Sequence, residues 1–213
     1  MCAINIKATI LESDDEISRL IMKALLPEVN SSLNSAFYKI KERLVLLVQT
    51  AITSSPEYTS IMSGQLKYEF GLPDSAARLS EILTFWKYIN VEYNKAKING
   101  NRLSGSISIS MIKSDYGDVL SSAAAVLQTE KGADLQWLSW LLLFGDKTII
   151  KTHNVVLGPS PVSRTGGAIM KASSSGKWGV PSEFSGTANN NWITRAIDSV
   201  SQDIDSLLMK ALG

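Results

Sequence analysis

The chain offers few side chains suited to catalysis, and its single histidine, His153, is the first to consider. Nucleophilic catalysis by a triad needs a base beside the nucleophile, and His153 is the one histidine that could serve as this base. It stands within Thr148 to Val156, a β-branched segment that predicts a strand, and we interpret it as an ordinary sheet residue. Metal sites built from cysteine and histidine are excluded by number, because Cys2 is the only cysteine.

The segment KASSSGKW matches two catalytic motifs only in part. Gly176 and Lys177 are adjacent, as in a phosphate-binding loop. However, Lys171 stands where the first glycine of that loop is needed, and Trp178 stands where Ser or Thr is needed. Ser174 has the Ser-x-x-Lys spacing of some acyl enzymes, but the serine-rich composition indicates a turn and not the helix that presents such a serine. The segment therefore predicts neither nucleotide binding nor acyl transfer.

Carboxylates leave one catalytic alternative open. Two acids that converge in a cleft with separated pKa values could act as acid and base, and Asp115, Asp118 and Glu183 are available for such a pair. The acidic run DDE after Ser13 is instead typical of the first turn of a helix, where the macrodipole favours negative charge. The sequence contains no Asp-x-Asp-x-Asp-Gly calcium loop. We therefore expect no enzyme activity, no catalytic residue, no metal and no cofactor.

Length and charge favour one globular domain without a broad nucleic-acid surface. The 213 residues are 45% apolar, enough to bury a sizeable core. Lysine and arginine number 21 against 20 aspartate and glutamate, so the totals predict no field that would gather nucleic acid or anionic lipid. The first residues lack the features of a secretory signal, and the longest apolar run, WLSWLLLF, is far shorter than the roughly 20 residues of a membrane span. We expect a protein that contacts no membrane.

Three helices are predicted in the N-terminal region, about 13–86. Ser13 and Glu16 resemble a capping box, and the first helix is expected to end at Pro27. Its predicted buried face contains Ile17, Leu20, Ile21, Ala24 and Leu25. A second apolar series, from Leu33 to Ala51, predicts the longest helix, which the segment SSPEY ends. Asp74 is a good N-cap for the third helix.

The central region, about 88–172, is predicted to be mainly sheet. Apolar and polar residues alternate on both sides of Asn99-Gly100, a pair that favours a tight hairpin turn. The alternating residues are Ile89, Val91 and Tyr93 before the turn and Ile107, Ile109 and Met111 after it. Further strands are expected at 148–156 and 168–172. The loop of residues 157–167 between them is long enough to predict a mobile contact segment.

Two more helices complete the prediction. A helix is predicted in the segment ADLQWLSWLLLFG, and Gly145 is expected to end it. The two tryptophans of this segment are more typical of a core than of an interface. A closing helix is expected from about 190 to 211, because its apolar residues keep one face for nearly five turns. Together these patterns predict a single α+β domain, with long helices at both ends packed on a central antiparallel β-sheet.

Three segments together resemble bacteriophage tail-completion, or neck, proteins. The clearest is WGVPSEFSGTANNNWITRAI, which is similar to the C-terminal signature of that family: an aromatic-x-Val-Pro segment, a Gly-Thr turn and an Asn-aromatic-x-x-x-Ala entry into a closing helix. The matching positions are Trp178, Val180, Pro181, Phe184, Gly186, Thr187, Asn191, Trp192, Arg195 and Ala196. SPEYTSIMSGQLKYEFGLPD (55–74) and SRTGGAIM (163–170) resemble two further segments of such virion proteins, so the resemblance extends over about residues 30–212.

This resemblance implies a structural virion protein and not an enzyme. The chain would be one subunit of a cyclic ring, expected to be a hexamer, that joins the head connector to the tail after assembly in the host cytoplasm. Its partners would be further copies of itself and neighbouring connector, terminator or tail proteins, with only non-specific contact to packaged DNA in the lumen. The implied interface residues are Arg164, Thr165, Lys171, Lys177, Trp178, Pro181, Phe184, Asn191, Trp192 and Arg195.

Other functions stay open at this point. Within the same neck, the chain could be the tail terminator or the head-closure protein. Outside viruses it could be a binding module or a small carboxylate enzyme. A binding module would be a monomer with a deep pocket, whereas a ring subunit would show flat, exposed apolar patches. The cluster of Arg164, Lys171 and Lys177 fits a solvated loop, or a contact with phosphates or an acidic partner.

Overall fold

The computed structural model describes residues 13–86, 89–110, 116–129 and 132–212. Within these ranges the helices are α1 (Asp14–Thr53), α2 (Pro56–Ser63), α3 (Gln65–Phe70), α4 (Ser75–Phe85), α5 (Gly117–Leu120), α6 (Trp137–Leu142), α7 (Trp192–Asp198) and α8 (Ser201–Leu212), with a 3-10 turn at Ala123–Ala125. The strands are β1 (Asn90–Asn99), β2 (Arg102–Ser110), β3 (Leu127–Gln128), β4 (Asp134–Leu135), β5 (Ile150–Leu157) and β6 (Ala168–Trp178). Cys2, Met111 and Asp115 lie outside the described residues.

The predicted α+β class is confirmed, but the strands do not form one central sheet. They pair as three separate two-stranded antiparallel sheets, β1–β2, β3–β4 and β5–β6. The prediction of a single sheet is therefore wrong. A search of the helices within the described ranges finds none that is long and apolar enough to cross a membrane.

The first helix, α1, runs without interruption for 40 residues, so the prediction that a helix ends at Pro27 is wrong. Its start is as predicted: Ser13 and Glu16 form a capping box, in which each side chain accepts the other's backbone N–H. Pro27 has no N–H to donate to the carbonyl of Lys23. Both residues are exposed, so water can bond that carbonyl and the helix continues past the proline.

The N-terminal half of α1 is held by the β1–β2 hairpin. Asn30 Oδ1 accepts the N–H of Ala96 at 2.7 Å and the hydroxyl of Tyr93 at 3.0 Å. At the hairpin tip, Asn101 Nδ2 donates to Asp15 Oδ1 at 2.6 Å. The hairpin confirms the prediction from alternation. Gly100, with φ of 58°, is the first residue of its two-residue turn and not the second as the sequence suggested.

Two short helices that the sequence analysis missed, α2 and α3, turn the chain after α1. Ser55 caps α2, because its Oγ accepts the N–H of Tyr58 at 3.2 Å, and Pro56 occupies the first helical position. The Ser-Pro pair in SSPEY is therefore a helix start as well as a helix stop. The predicted α4 follows Asp74, but the Asp74 carboxylate pairs with Arg78 at 2.8 Å and does not cap the backbone.

The β5–β6 hairpin, which we call the ribbon, packs chiefly on itself. Its second strand extends to Trp178, so KASSSGKW is strand and not the predicted turn. Gly176 permits this, because a Cβ there would lie 2.7 Å from the backbone carbon of His153. The register shifts between Lys151 and His153, where Thr152 takes a φ of 63°. The predicted loop lies between the strands, at residues 158–167.

Two predicted helices are shorter in the structure. The central helix α6 ends at Leu142, and Gly145 does not cap it; its N–H instead bonds to the carbonyl of Gly186 at 2.8 Å. The closing helix is divided into α7 and α8. Between them Ser199 Oγ donates to the carbonyl of Ala196 and Ser201 Oγ to that of Asp198, and such serine hydroxyls compete with helical hydrogen bonding.

One apolar cluster connects the elements from α1 to α7. Its largest fully buried side chains are Trp86, Trp137, Trp192, Ile40, Leu44, Ile52, Ile61, Leu66, Leu72, Leu79, Ile82 and Leu138. Trp137 is fully buried and Trp140 is partly buried against the same cluster, so core packing explains the tryptophans of α6 as predicted. In contrast, α8 has no buried residue and lies on the surface of α1.

Candidate functional site

The segment WGVPSEFSGTANNNWITRAI, residues 178–197, packs against α2 and α6, and we call this contact region the junction. Asn191 is 0% exposed and caps α7: its Oδ1 accepts the N–H groups of Ile193 and Thr194 at 3.1 Å each. The same oxygen accepts the hydroxyl of Tyr116 at 3.2 Å. Its Nδ2 donates to the carbonyl of Thr187 at 2.9 Å. Every polar atom of this side chain is therefore used inside the chain, and burial also raises the pKa of the Tyr116 phenol.

Trp192 joins this junction to the corner between α1 and α2. Its Nε1 donates to Ser55 Oγ at 2.7 Å, and its ring packs edge-on against Trp86 with centroids 5.2 Å apart. The hydroxyl of Ser55 in turn donates to the carbonyl of Ile52 at 2.7 Å. Ser55 Oγ therefore bonds three elements: it accepts from the first turn of α2 and from Trp192 of α7, and it donates to the last turn of α1.

Arg195 binds the junction to α2 by charge. Its Nη2 lies 2.7 Å from Glu57 Oε1, and the Glu57 side chain is only 4% exposed. The guanidinium also donates to the carbonyls of Phe184 and Ser185, at 3.3 and 3.2 Å. One arginine therefore fixes both the Gly-Thr turn region and the closing helix against α2.

Gly186 is required by close packing against α6. A Cβ built at this position would overlap the carbonyl oxygen of Leu141. The Gly186 N–H donates to the carbonyl of Trp140 at 3.1 Å, so the two backbones run in direct contact. Pro181 and Phe184, which precede this contact, are half-buried, and the Phe184 N–H bonds to the Pro181 carbonyl at 2.9 Å.

This burial changes the interpretation of three implied interface residues. Trp178, Asn191 and Trp192 are buried within the chain, where their side chains contact other elements of the same chain. Arg195 is partly exposed but already has a partner, Glu57. These residues of the segment therefore stabilise the internal junction. The sequence alone does not distinguish such a motif from one at the surface.

The remaining implied residues lie at or near the surface of the ribbon. Arg164, Lys171 and Lys177 are exposed, and Thr165 is half-buried in the loop. None of these three cations pairs with an acid among the described residues. They are accompanied by exposed apolar side chains on the same hairpin: Val156, Leu157, Val162 and Met170.

A cavity of about 710 Å³ lies between the ribbon and α3. Its lining is mainly apolar and includes Phe70, Leu135, Val155, Val162 and Met170, with Arg164 at its edge. The loop of the ribbon packs closely on α3, since a Cβ on Gly167 would overlap the ring of Tyr68. We call this space and the exposed residues Val162, Arg164 and Met170 around it the ribbon cavity.

The ionisable groups at the ribbon cavity are few. Glu69 accepts the Nε1–H of Trp178 at 3.3 Å and the amide of Gln65 at 2.6 Å, and burial raises the pKa of the Glu69 carboxyl. The charge of Glu183 raises this pKa further. His153 also lines the cavity, with Nδ1 3.3 Å from the carbonyl oxygen of Lys151.

The structure places two of the acids singled out from the sequence at the surface. Asp118 and Glu183 are exposed, and Asp115 lies outside those ranges. Across residues 13–86, 89–110, 116–129 and 132–212, no group of three His, Cys, Asp or Glu side chains could hold a metal ion. Glu69 at the cavity is half-buried, but its carboxylate already accepts hydrogen bonds from Gln65 and Trp178.

A second surface, at the other end of α1, was missed by the sequence analysis. The apolar residues of the first helix were predicted to be buried, yet Leu20, Ile21 and Leu25 are exposed and Met22 is buried in their place. Ile21 and Leu25 share one face with two acids, because spacings of seven, four and three residues return to the same side of a helix. We call Asp14, Ile21, Leu25 and Glu28 the helix stripe. All four are exposed.

Comparisons of the chain with protein-family models, with curated proteins and with solved structures find no match.

Proposed function

We propose that the chain is a structural virion protein, the subunit of a neck or tail-completion ring that joins the head connector to the tail of a bacteriophage. The proposal rests on the three segments that resemble such proteins. It is supported by one observation above others: the chain carries two unlike apolar surfaces, the helix stripe with acids at its ends and the ribbon cavity with Arg164 at its edge.

Two unlike surfaces suit a cyclic ring. In a ring every subunit meets its neighbours through two different patches, which must complement each other, whereas a two-fold dimer uses one patch twice. At 1.5 Å per residue, α1 places about 50 Å between Leu20 and Thr53. The ribbon joins the body through α3, beyond the C-terminal end of α1, where Trp178 packs on Phe70. One copy would therefore contact one neighbour through the helix stripe and the other neighbour through the ribbon, at opposite ends of the molecule.

The buried junction supports the same role. A ring subunit must hold its shape while its surfaces are loaded by neighbours, and the junction ties α2, α6 and α7 together through Ser55, Glu57 and Gly186. This is where the resemblance to neck proteins is densest. The residues of that signature would then serve assembly indirectly, by fixing the angle of the closing helices.

The test is a phage whose gene for this protein is interrupted by a conditional stop codon. Under restrictive conditions we expect filled heads and finished tails to accumulate separately, and added purified protein to join them. Electron microscopy with a bound antibody should place the protein at the head-to-tail junction. Normal, infectious particles made without the protein would contradict the proposal. Tails of uncontrolled length would instead indicate a tail terminator, and leaking heads a head-closure protein.

The second candidate is a binding module, and the ribbon cavity is the observation that favours it. Its volume is within the range of small-molecule sites, and its walls are apolar with an arginine at the edge. An apolar carboxylic acid would match this lining. Saturable stabilisation of a monomeric protein by such acids in a thermal-shift screen, lost in Arg164→Ala, would favour this function over the ring.

A further inference from the structure

We propose that the ribbon cavity of one copy receives the helix stripe of a second copy, so that Ile21 and Leu25 enter the cavity and an acid of the stripe pairs with Arg164. The inference rests on the proposed ring role and adds which surfaces meet. The occupant is α1 of an identical chain.

The helix stripe has the form of a docking surface. Ile21 and Leu25 are 54% and 45% exposed, one turn apart on the same face. Asp14 precedes them by about two turns and Glu28 follows within one, while Arg19 and Lys23 point to other sides of the helix. The stripe is therefore apolar at its centre and acidic at both ends. Amphipathic helices dock in apolar grooves through this spacing of anchors.

The ribbon cavity presents the complementary surface. Val162 is 83% exposed and Met170 is 41% exposed, although both border an apolar cavity. A two-stranded hairpin that packs chiefly on itself is marginally stable in water, so covering it would be favourable. Arg164 has no acidic partner among the described residues. A neighbouring carboxylate would supply one.

The charges favour this pairing over contact between like surfaces. Residues 148–178, which contain the whole ribbon, include four Lys or Arg and no Asp or Glu. Glu69 of α3 also lines the cavity, but its carboxylate accepts hydrogen bonds from Gln65 and Trp178. Residues 13–29, which contain the stripe, include four Asp or Glu and two Lys or Arg. Two ribbons, or two stripes, would therefore repel each other, whereas a ribbon and a stripe attract.

DNA is the other acidic occupant that a basic surface could take. A DNA-binding surface is dominated by contacts with phosphates, and it is strongly polar and positive. Here Val162 and Met170 stand beside the single arginine of the cavity edge, and a phosphate backbone would leave both apolar side chains without a partner. The apolar content therefore favours a protein helix.

Cysteine cross-linking tests the geometry in full-length protein with Cys2→Ser. Ile21→Cys and Met170→Cys are made in separate proteins, and a short thiol-specific cross-linker is added. We expect covalent dimers when the two proteins are mixed and none from either alone. A protein that carries both substitutions should give a ladder that ends at the ring size. Leu20→Cys, equally exposed but on another side of α1, is the matched control and should cross-link at least ten-fold less with Met170→Cys.

Charge exchange tests the pairing. Arg164→Glu should weaken self-association at least ten-fold in analytical ultracentrifugation. Combining it with Asp14→Arg or with Glu28→Arg should restore association in one of the two cases, depending on the direction of the helix in the cavity. Circular dichroism checks that each variant is folded, which is expected because all three positions are exposed.

Several results would overturn the inference. These are cross-linked dimers from Ile21→Cys alone, cross-linking of Met170→Cys to Met209→Cys in α8 in preference to Ile21→Cys, failure of both exchanges, or a protein that stays monomeric throughout. Loss of DNA retention with unchanged self-association in Arg164→Glu would do the same and assign the ribbon to DNA. The neck role would survive any of these results, because the conditional phage and the antibody label test it separately.

Discussion

Glu57 and Arg195 are separated by 138 positions in the sequence and form an ion pair, with Arg195 Nη2 2.7 Å from Glu57 Oε1. Glu57 lies in the first turn of α2, and Arg195 lies in α7, so the pair ties the end of the chain to its first third. The carboxylate is almost fully buried, and the guanidinium is partly exposed. This arrangement makes the junction sensitive to the loss of either partner.

Glu57→Gln should lower the free energy of unfolding by about 2 kcal/mol at pH 7. Breaking a fully buried pair typically costs about 3–5 kcal/mol, and the partial exposure of Arg195 lets water replace some of the lost interaction. Urea denaturation measures the change. Glu183→Gln, an exposed acid in the same region, is the control and should change stability by less than about 0.5 kcal/mol. Equal effects of the two substitutions would show that the pair contributes nothing specific.

Asn191→Asp should destabilise the protein although it preserves the shape of the side chain. The Asp carboxylate would still cap α7, but its second oxygen would face the carbonyl oxygens of Thr187 and Ala188, which now receive hydrogen bonds from Nδ2. We expect a loss of about 2–3 kcal/mol. Asn190→Asp is the matched control: its Oδ1 accepts from Arg195, so added negative charge there should be neutral or stabilising. Denaturation curves in which both variants behave alike would refute this account.

Gly186→Ala should prevent stable folding or cost more than about 3 kcal/mol, because a rigid backbone oxygen of Leu141 occupies the space of the new methyl group. The control is Gly132→Ala, where φ is 78° but no atom lies within 4 Å of the built Cβ. Backbone conformation alone should cost about 1 kcal/mol there. Thermal melts and soluble yield compare the two, and a mild effect at Gly186 would mean that α6 can shift away.

The stability contribution of Glu69 should depend on pH in the direction opposite to that of most carboxylates. Burial raises its pKa in the folded state above the unfolded value, so the contribution is fully present below the unfolded pKa and is lost as pH rises through the folded pKa. Glu69→Gln should therefore melt at a higher temperature than the natural protein at pH 7.5, with the difference shrinking at pH 4. A constant difference across this range would contradict the assignment. Gln65→Ala, which removes a donor to the carboxylate, should raise the pKa further.

Pro27→Ala should stabilise the protein by about 1–3 kcal/mol, since it restores a donor for the carbonyl of Lys23 and removes a residue that is unfavourable inside a helix. Chemical denaturation measures the gain, with Glu28→Ala as the control for a neighbouring exposed position. A loss of stability would indicate that the local geometry at Pro27 is needed for α1 to follow the β1–β2 hairpin.

Local sequence signals predicted the starts and turns of elements better than the ends of helices. The capping box at Ser13, the hairpin around Gly100 and the start of α4 after Asp74 each depend on neighbouring residues, and each was found. Pro27 was misleading because the carbonyl that it frees faces water, so the helix continues despite the cost of the proline. The predicted length of β6 was too short because a serine-rich composition indicates a turn. The close contact between Gly176 and the backbone of His153 depends on the partner strand, which the local sequence does not show.

The candidate surfaces were less predictable than the fold. Periodicity correctly placed Ile21 and Leu25 on a helix but assigned them to the core, since a single sequence does not show which apolar residues lack a covering element. Arg164 and Lys171 were predicted at a surface contact, and the structure places both on the exposed ribbon. The side chains of Asn191 and Trp192 point inward, which only the three-dimensional arrangement shows.

The hydrogen bond from Trp192 to Ser55 spans 137 positions and has a consequence for synthesis. The first helices can form while translation continues, but their apolar faces stay incomplete until α7 has emerged from the ribosome. Because contacts of such high sequence separation slow folding, the nascent chain is exposed to aggregation until α7 is available. We expect a chain arrested before Trp192 to bind chaperones and to resist protease poorly, and release of the last helices to produce a sharp gain in protection. The folded core would thus be completed only after α7 has been synthesised, however early the first helices form.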